Sequence, residues 1–348
     1  MADRLLRALK DDPEIEAWLV PVNPLPPRPW HAGVRVKYLR TIFTQLAYWP
    51  LLVRELRRAD AVHVFSASYF SFLLAPLPAI VVAKLLGKPV LLNYRSGEAP
   101  DHLRRSAIAR AALRRVDRNV VPSGFLRDVF ASFGVGAEVI QNIVDLDRFP
   151  FRARAPLAPR LLSTRNFDAL YNVACTIQAF RIVQDRLPNA SLVLVGDGAE
   201  RGRLEGLVRA LGLRNVTFAG RVAPDEIWRY YDEADIYVQT PEIDNMPASI
   251  LEAYASGLAV VSTDAGGVPY ILRHEREGLL APRGDAAAMA GAVLRLLDTP
   301  PLAARVIAGG RAYAETCSWH VVRPQWIKAY RKLAASAPAR VAVAESVR

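Results

Sequence analysis

Strands and helices alternate regularly through the second half of this 348-residue chain. Short apolar runs of strand length are followed by stretches with apolar residues at three- and four-residue spacing, which is typical of helices. This alternation predicts a parallel sheet with helices on both faces, and such sheets bind ligands at the carboxyl ends of their strands. The predicted strands end at 162 or cover 191–195, 215–219, 235–239 and 258–262; the predicted helices cover 176–187, 204–211, 224–233 and 247–257.

The first half follows the same pattern, with predicted strands at 14–22, 61–65, 88–94, 118–121 and 138–140. The length favours two domains, and 52% apolar residues are enough for two cores. We therefore predict an α/β protein with two Rossmann-like, doubly wound domains facing across a cleft. The segment FPFRARAPLAP has the composition of a linker, so the predicted domains are 1–153 and 154–318, followed by a helix at 319–336 that returns to the first domain and a disordered tail at 337–348.

The start of the chain departs from this pattern. It opens on a predicted helix, Ala2 to Lys10, and continues directly to the predicted strand around Trp18. A doubly wound domain normally begins with a strand and a Gly-rich turn, and that first strand lies in the middle of the sheet. We therefore expect the first domain to lack its first strand, either because Met1 is a late start or because the domain is truncated.

The net charge of +11 is unevenly distributed. Residues 1–150 hold 21 Lys and Arg against 14 acidic residues, a net charge of +7. Within them, Arg28 to Arg58 carries seven basic residues and one acid, interleaved with five aromatic residues. Such a segment can rest peripherally on an anionic membrane, or it can be a solvated face with ordinary core aromatics. The aromatics are Trp30, Tyr38, Phe43, Tyr48 and Trp49.

The cysteines, the apolar stretches and the aromatic residues limit which compartment and which partners are expected. Cys175 and Cys317 have no metal or redox spacing, which favours a reducing, cytoplasmic location. The longest apolar stretch, Phe70 to Ala83, is too short to span a bilayer, and the N-terminus lacks the apolar core of a signal peptide. No aromatic stacking motif accompanies the basic charge, so nucleic-acid binding is not expected.

Glu252 is the single charged residue between Asp244 and Asp264. Burying its carboxylate without a partner would cost several kcal/mol. On the predicted helix its neighbours at three and four residues are all small, which leaves room for a ligand near the helix start, where free N–H groups attract anions. The alternative is that small residues let the helix lie close to a sheet and that Glu252 pairs with a buried arginine.

The segment DNMPASILEAYASGLAVVSTDAGGVPYIL resembles the donor-site signature of the family 4 retaining glycosyltransferases. Further matches in order are VPSGFLRDVF, VIQNIVDLDRF, LVLVGDGAERGRLE, VTFAGRV, ADIYVQTPEIDNMP and EGLLAPRGD, and together they cover roughly residues 60–336. The resemblance implies the GT-B fold, a nucleoside diphosphate sugar as donor, and no cofactor or metal ion.

The resemblance also assigns site residues. Two acids separated by seven residues serve the donor in this family, and they fall on Asp244, which would contact the transferred sugar, and Glu252, which would bind the ribose hydroxyls. The family usually has Glu at the first position, so Asp244 is a departure. The backbone N–H groups of residues 245–248 would hold the diphosphate at the helix start. These four residues are Asn245, Met246, Pro247 and Ala248.

A basic phosphate clamp is also implied, consisting of an Arg and, five residues later, a Lys. Arg165 fits the first position, but Leu170 or Tyr171 stands where the Lys is expected, and Arg221 could compensate. A surface arginine in a turn is the alternative for Arg165. The donor site is further expected to include Gly196, Val222, Gly266 and Gly267.

The remaining motifs are weaker. Gly196 and Gly198 lie between a strand and a helix, but Arg201 occupies the third glycine position of a dinucleotide fingerprint, so NAD is not expected. Asp145 and Asp147 spell the DxD of metal-dependent glycosyltransferases, in a setting that favours a structural turn.

On the acceptor side, many relatives carry a His after the fourth strand. Here Arg95 stands near that place, with Glu98 and His102 close behind. Arg95 could bind an acceptor phosphate or could pair with Glu98.

The sequence therefore predicts a retaining, metal-independent hexosyltransferase that acts on a glycan or lipid-linked hydroxyl in cell-surface polysaccharide or glycolipid synthesis. It would be cytoplasmic or peripheral on the inner face of the membrane. The alternatives are a sugar-nucleotide epimerase of the same fold and a non-catalytic nucleotide or carbohydrate binding protein.

Overall fold

The computed structural model describes residues 2–9, 12–13, 15–24, 37–66 and 68–335. The chain forms two compact units. The first contains the residues up to Val121, Val129–Val139 and the residues from Pro324 onward, and the second contains Pro122–Asp128 and Ile140–Arg323. The boundary predicted at 153 and 154 therefore lies inside the second unit, and the tail predicted at 337–348 lies outside the described residues.

The first unit is built on a four-stranded parallel sheet in the order β1-β2-β3-β4. Its elements, including one helix that continues out of the second unit, are α1 (Ala2–Leu9), α2 (Lys37–Arg58), β1 (Val62–Phe65), α3 (Tyr69–Leu74), α4 (Pro76–Leu85), β2 (Val90–Asn93), α5 (Ala99–Arg105), α6 (Ala107–Arg115), β3 (Arg118–Val121), α7 (Gly124–Ser132) and β4 (Glu138–Val139).

The strand predicted at 14–22 is wrong, because residues 15–24 contain no strand. Trp18, Leu19 and Val22 are 38%, 58% and 45% exposed, so no sheet buries the apolar residues of this segment. Among the described residues β1 is an edge strand of the sheet.

The second unit has a six-stranded parallel sheet in the order β10-β9-β8-β5-β6-β7, and the strands predicted in this half are confirmed to within two residues. Single 3₁₀ turns lie at Ala169–Tyr171 and Val268–Tyr270. The regular elements are β5 (Arg160–Thr164), α8 (Val173–Arg186), β6 (Ser191–Val195), α9 (Arg201–Ala210), β7 (Val216–Gly220), α10 (Ile227–Glu233), β8 (Ile236–Gln239), α11 (Ala248–Ser256), β9 (Ala259–Thr263), β10 (Leu279–Ala281), α12 (Ala286–Asp298), α13 (Pro300–Thr316) and α14 (Trp319–Ala335), whose last twelve residues belong to the first unit.

The segment with linker composition is packed onto the second unit. Arg154 is buried, and its guanidinium donates to the carbonyl oxygens of Ala234 and Tyr231 at 2.8 Å each. Asp235, also buried, lies 3.4 Å from Arg154 Nε. A buried arginine is stable only when such acceptors replace its water, so this segment is held in place. Proline and charge content alone could not reveal these contacts.

No helix within the described ranges is both long and apolar enough to cross a lipid bilayer.

His63 on β1 is a half-buried titratable group of the first unit. Its Nδ1 atom lies 2.8 Å from the hydroxyl of Tyr330, and its ring stacks on Phe65 with the centroids 4.4 Å apart. The Nε2 atom is buried and has no hydrogen-bond partner within the described part of the chain. Burial, together with the positive charge of Arg95, lowers the pKa of His63 to about 3.

This pKa predicts a pH-dependent stability. Because the folded-state pKa is below the ordinary value of about 6.5, the unfolded chain binds a proton at His63 that the folded chain does not. The contribution of His63 to the free energy of unfolding should therefore fall by about 1.4 kcal/mol for each pH unit between 6.5 and about 3, and it should not change above pH 6.5. Denaturant unfolding at pH 7.5 and 5.5 should show a smaller loss for His63→Phe than for the wild type. His320→Phe, at an exposed position, should keep the wild-type loss, and equal losses in all three proteins would contradict this origin.

Candidate active site

The topology of the second sheet places the candidate residues together. From β5 the chain proceeds through β6 and β7 in one direction, and β8, β9 and β10 extend the sheet in the other. The order therefore reverses between the neighbouring strands β5 and β8, and crevices at such switch points bind ligands. Arg165 follows β5 directly, while Asp244 and α11 follow β8.

Arg165 is held from three sides. Its Nη2 lies 2.6 Å from Asp244 Oδ2, its Nη1 donates to Ser249 Oγ at 3.2 Å, and its guanidinium lies over the ring of Tyr171, 4.0 Å from the centroid. Burial, the largest single effect, disfavours the charged form, but Asp244 together with nearby tyrosines outweighs it, so the pKa of Arg165 is raised. The alternative of a surface arginine is wrong, since the side chain is 9% exposed.

Tyr171 is one of the two residues, with Leu170, that stand where the resemblance predicts Lys. Its ring packs against the guanidinium instead of adding a second positive charge, and cation–π contacts of this kind stabilise a cation by about 0.5 to 2 kcal/mol. Arg165 Nε is buried and has no hydrogen-bond partner among the described residues. The arginine is therefore fixed in position with one donor left over.

The start of α11 revises the predicted set of phosphate donors. The N–H of Asn245 donates a hydrogen bond to the carboxylate of Asp244 at 2.8 Å. Pro247, which precedes the helix, has no N–H. Of the four predicted donors, Met246 and Ala248 remain. Ser249 joins them, because the first N–H groups of a helix have no acceptor within it.

Side chains from elsewhere in the second unit hold this loop. Ser123 Oγ donates to the side-chain oxygen of Asn245, and the amide of Asn142 donates to the carbonyl of Met246 at 2.7 Å. Asn245 and Met246 are 3% and 5% exposed. These two residues are therefore supports of the loop.

Gly266 and Gly267 lie directly behind the same loop. Gly266 has φ +51°, and a Cβ atom there would collide with the carbonyl oxygen of Asp244. A Cβ atom on Gly267 would collide in the same way with the carbonyl of Asn245. The structure thus places the two glycines against the backbone that carries Asp244, where only a residue without a side chain fits.

Glu252 is 7% exposed and lies on the first half of α11. Its Oε2 accepts a hydrogen bond from Tyr231 at 3.0 Å, and the Tyr231 hydroxyl lies 2.7 Å from that of Thr164 at the end of β5. Burial and the adjacent carboxylate raise the pKa of Tyr231 well above its ordinary value, so Tyr231 stays protonated and remains a donor. Glu252 is therefore at the same end of β5 as Arg165.

The glycine turn after β6 packs against the backbone of Arg165. A Cβ atom on Gly196 would collide with the carbonyl oxygen of Arg165, and Gly196 has φ +142°. The predicted cation Arg221 is 82% exposed, and its Nε lies 3.8 Å from Asp197 Oδ2. Val222 follows it and is half-buried. Arg221 is thus exposed and loosely paired, whereas Arg165 is buried and tightly held.

The predicted acceptor-side residues all lie in the first unit. His102 is 1% exposed, and its Nδ1 lies 2.7 Å from the hydroxyl of Tyr94. Burial lowers the pKa of His102. Glu98 and Arg95 follow β2 and are half-buried. His102 is therefore a core residue of the first unit, which spacing along the chain cannot show, and its place on the acceptor side stays a prediction.

The turn proposed for Asp145 and Asp147 is confirmed, since Asp145 Oδ1 accepts the N–H of Arg148 at 3.2 Å. In the described residues there is no cluster of three or more side chains that could hold a metal ion. The sequence did not predict two contacts of this site. One is the hydrogen bond from Tyr231 to Glu252, since Tyr231 has no sequence signal beyond its place in YYDEADIYV. The other is the stacking of Tyr171 on Arg165.

Two family models match the chain. Residues 5–148 match the model described as Glycosyltransferase Family 4, and residues 152–313 match the one described as Glycosyl transferases group 1. The chain belongs to glycosyltransferase family 4. The two matches follow each other along the chain in the order of the two sheets.

Relatives by sequence belong to the same family of transferases. A sulfoquinovosyl transferase of Arabidopsis thaliana is 26% identical over 264 residues, 69% of this chain and 50% of the relative. A GDP-mannose-dependent alpha-(1-6)-phosphatidylinositol monomannoside mannosyltransferase of Mycobacterium tuberculosis is 29% identical over 320 residues, 83% of this chain and 80% of the relative. The chain thus spans half the length of the first of these relatives.

Solved structures of the family share the fold. The Anabaena protein HepE, in complex with UDP-glucose, superposes with a TM-score of 0.70 at 18% identity, covering 81% of this chain and 82% of HepE. Sucrose-phosphate synthase from Thermosynechococcus elongatus gives a TM-score of 0.68 at 23% identity, covering 83% and 79%. The predicted GT-B fold is confirmed.

Proposed function

We propose that this family 4 protein transfers a hexose from a nucleoside diphosphate sugar to a hydroxyl acceptor, with retention at the anomeric carbon and without a metal ion. The observation that carries the proposal is the group formed by Arg165, Asp244 and the first turn of α11 at the switch point of the second sheet. A fixed cation beside free N–H groups suits a diphosphate, and Glu252 lies one helical turn further along α11.

The proposed roles follow from these positions. Glu252 accepts hydrogen bonds from the ribose hydroxyls, while Arg165 and the N–H groups of Ala248 and Ser249 hold the diphosphate. The departing oxygen gains negative charge as the bond to the anomeric carbon breaks, and preorganised donors stabilise such charge most strongly. Asp244 is already paired with Arg165, so its carboxylate is oriented beside the place of the transferred sugar.

The proposed reaction is a front-face displacement. The bond between the anomeric carbon and the diphosphate oxygen breaks through an oxocarbenium-like state. The acceptor oxygen then forms its bond on the same face, and its proton passes to the departing diphosphate. Arg165 supplies positive charge that a metal ion provides in other transferases. A covalent double displacement is less well supported, because Asp244 is engaged by Arg165 and Glu252 by Tyr231.

The acceptor is proposed to be a glycan or a lipid-linked hydroxyl. The mycobacterial relative is named for a phosphatidylinositol-linked acceptor, and the first 150 residues of this chain have a net charge of +7. Both favour a cytoplasmic protein in peripheral contact with the inner face of a membrane, in cell-surface polysaccharide or glycolipid synthesis.

Product formation from purified protein tests the proposal. UDP- and GDP-hexoses are incubated with and without extracted lipid or glycan acceptors, and free nucleoside diphosphate and the anomeric configuration of the product are measured. Nucleoside diphosphate should appear only with an acceptor, the product should keep the donor's configuration, and chelator should have no effect. Conversion of the sugar nucleotide without an acceptor would support the epimerase, and binding without turnover would support the non-catalytic alternative.

A further inference from the structure

Helix α2 presents an apolar stripe to solvent. Ile42, Leu46 and Trp49 are 55%, 55% and 41% exposed. Their spacing of four and three residues places them on one face of the helix, and this exposed face is called the α2 stripe. The opposite face already packs inside the first unit, where Tyr48 and Leu52 are each 2% exposed. The α2 stripe is therefore not needed for the core of its own unit.

Arginines border the C-terminal end of the α2 stripe. Arg54 and Arg58 have side chains 73% and 67% exposed, and Arg57 between them is also exposed. Glu55, the single acid of the helix, pairs with Arg54 and Arg58 at 2.8 and 3.3 Å. A stripe of apolar residues flanked by cations matches a lipid surface with anionic headgroups better than a neutral one.

A second exposed group lies beside this end of the helix. The guanidinium of Arg58 lies over the ring of Trp18 at 5.6 Å, and Trp18 and Leu19 are 38% and 58% exposed. Tryptophan beside arginine is the composition found where proteins meet the headgroup region of a bilayer, since the ring is apolar and its N–H remains hydrated. The exposed apolar surface thus continues from α2 onto the segment before it.

We propose that the α2 stripe inserts shallowly into an anionic membrane, with Arg54, Arg57 and Arg58 at the level of the phosphates. The stripe deepens the membrane contact proposed above by assigning it to one helix face, and it does not depend on the transfer reaction. Trp18 and Leu19 lie in the same headgroup layer. Attraction to the phosphates is electrostatic, whereas insertion of the stripe is hydrophobic, so the two parts respond to different variants.

Vesicle flotation of the full chain tests both parts, comparing neutral phosphatidylcholine vesicles with vesicles containing 30% phosphatidylglycerol, about physiological anionic content. Binding should occur to the anionic vesicles and fall sharply as salt rises through a few hundred millimolar.

Ile42→Ser/Leu46→Ser/Trp49→Ser should reduce the affinity by at least about tenfold. Arg57→Gln, which leaves Glu55 with both of its partners, should reduce the affinity by about fivefold. Ile108→Ser/Ile182→Ser, at equally exposed isoleucines on other helices, is the matched control.

A fluorescent label reports insertion directly. Both native cysteines are buried, and burial raises the thiol pKa of Cys175 to about 11 and of Cys317 to about 12, so a new cysteine can be labelled selectively. A polarity-sensitive dye on Leu46→Cys should shift to the blue with anionic vesicles, and the same dye on Ile182→Cys should not.

Three results would overturn the proposal. Equal vesicle binding by the wild type and the stripe variant would show that the α2 stripe is not the contact surface, while the membrane contact itself would stand. No vesicle binding at all would exclude both the α2 stripe and the membrane contact. The proposed reaction would still be tested separately, by transfer to a water-soluble acceptor. A change of oligomeric state in the stripe variant, with no dye shift at Leu46→Cys, would identify the stripe as a protein interface.

Discussion

Replacing Arg165 with alanine should reduce kcat for hexose transfer by about 100- to 1,000-fold, the usual cost of removing one preorganised donor to a developing negative charge. The reason is that neither Leu170 nor Tyr171 supplies the second cation of the clamp, so stabilisation of the charge on the departing diphosphate depends on Arg165. Arg165→Lys keeps the charge but loses the fork that contacts Asp244 and Ser249 together, so it should recover only part of the activity. Steady-state kinetics with the donor identified by the product assay measures the effect.

Arg221→Ala is the matched control for that variant. Arg221 is the other predicted cation, but its side chain is 82% exposed and exposed ion pairs contribute little, so its removal should change kcat by less than about threefold. Asp244→Asn, which keeps the shape of the side chain, separates loss of the arginine from loss of its partner. If Arg165→Ala keeps its activity within tenfold of the wild type and Arg221→Ala loses most of it, Arg221 and not Arg165 is the cation of the phosphate clamp.

Replacing Glu252 with alanine should weaken the binding of nucleoside diphosphate by about 1.5 to 3 kcal/mol, roughly 10- to 150-fold in Kd, the contribution of a hydrogen bond to a charged group. The carboxylate is buried beside the switch point, and Tyr231 satisfies one of its oxygens at 3.0 Å. Isothermal titration with UDP and GDP measures the effect. Circular dichroism and thermal unfolding should show that the fold is intact.

Two further variants distinguish binding from support. Tyr231→Phe removes the neutral donor to Glu252 and should cost about 1 kcal/mol of nucleotide affinity. Glu277 is another buried carboxylate of the second unit, paired with Arg273, and Glu277→Gln should lower stability without changing nucleotide affinity. Unchanged affinity of Glu252→Ala for both nucleotides would exclude this carboxylate from the donor site.

Much of the second unit could be predicted from local sequence alone. Its strands are short apolar runs and its helices have clear apolar spacing, so both were found to within a few residues. Pro247 before α11 and Gly257 after it, with φ +79°, mark the helix that carries Glu252. In the first unit the same reasoning failed at residues 15–24, because a short apolar run does not reveal whether a neighbouring strand exists to pair with.

The side-chain partners could not be predicted in this way. Arg165 meets Asp244 across 79 residues, and Tyr231 meets Glu252 across 21. These distances along the chain are bridged by the order of strands in the sheet, which no local pattern encodes. The burial of His102 could not be predicted for the same reason, because it depends on Tyr94 and the helices packed around it.

The sequence by itself determined the family, the alternation of strands and helices, and the spacing of Asp244 and Glu252, because each depends on residues close together in the chain or on motifs in a fixed order. The tertiary structure alone decided that Arg165 is buried, that Tyr171 packs on it where a lysine was expected, and that the loop of Asp244 rests on Gly266. The physical reason is that burial and charge pairing are set by which strand ends become neighbours, and the reversal of strand order between β5 and β8 makes them neighbours here.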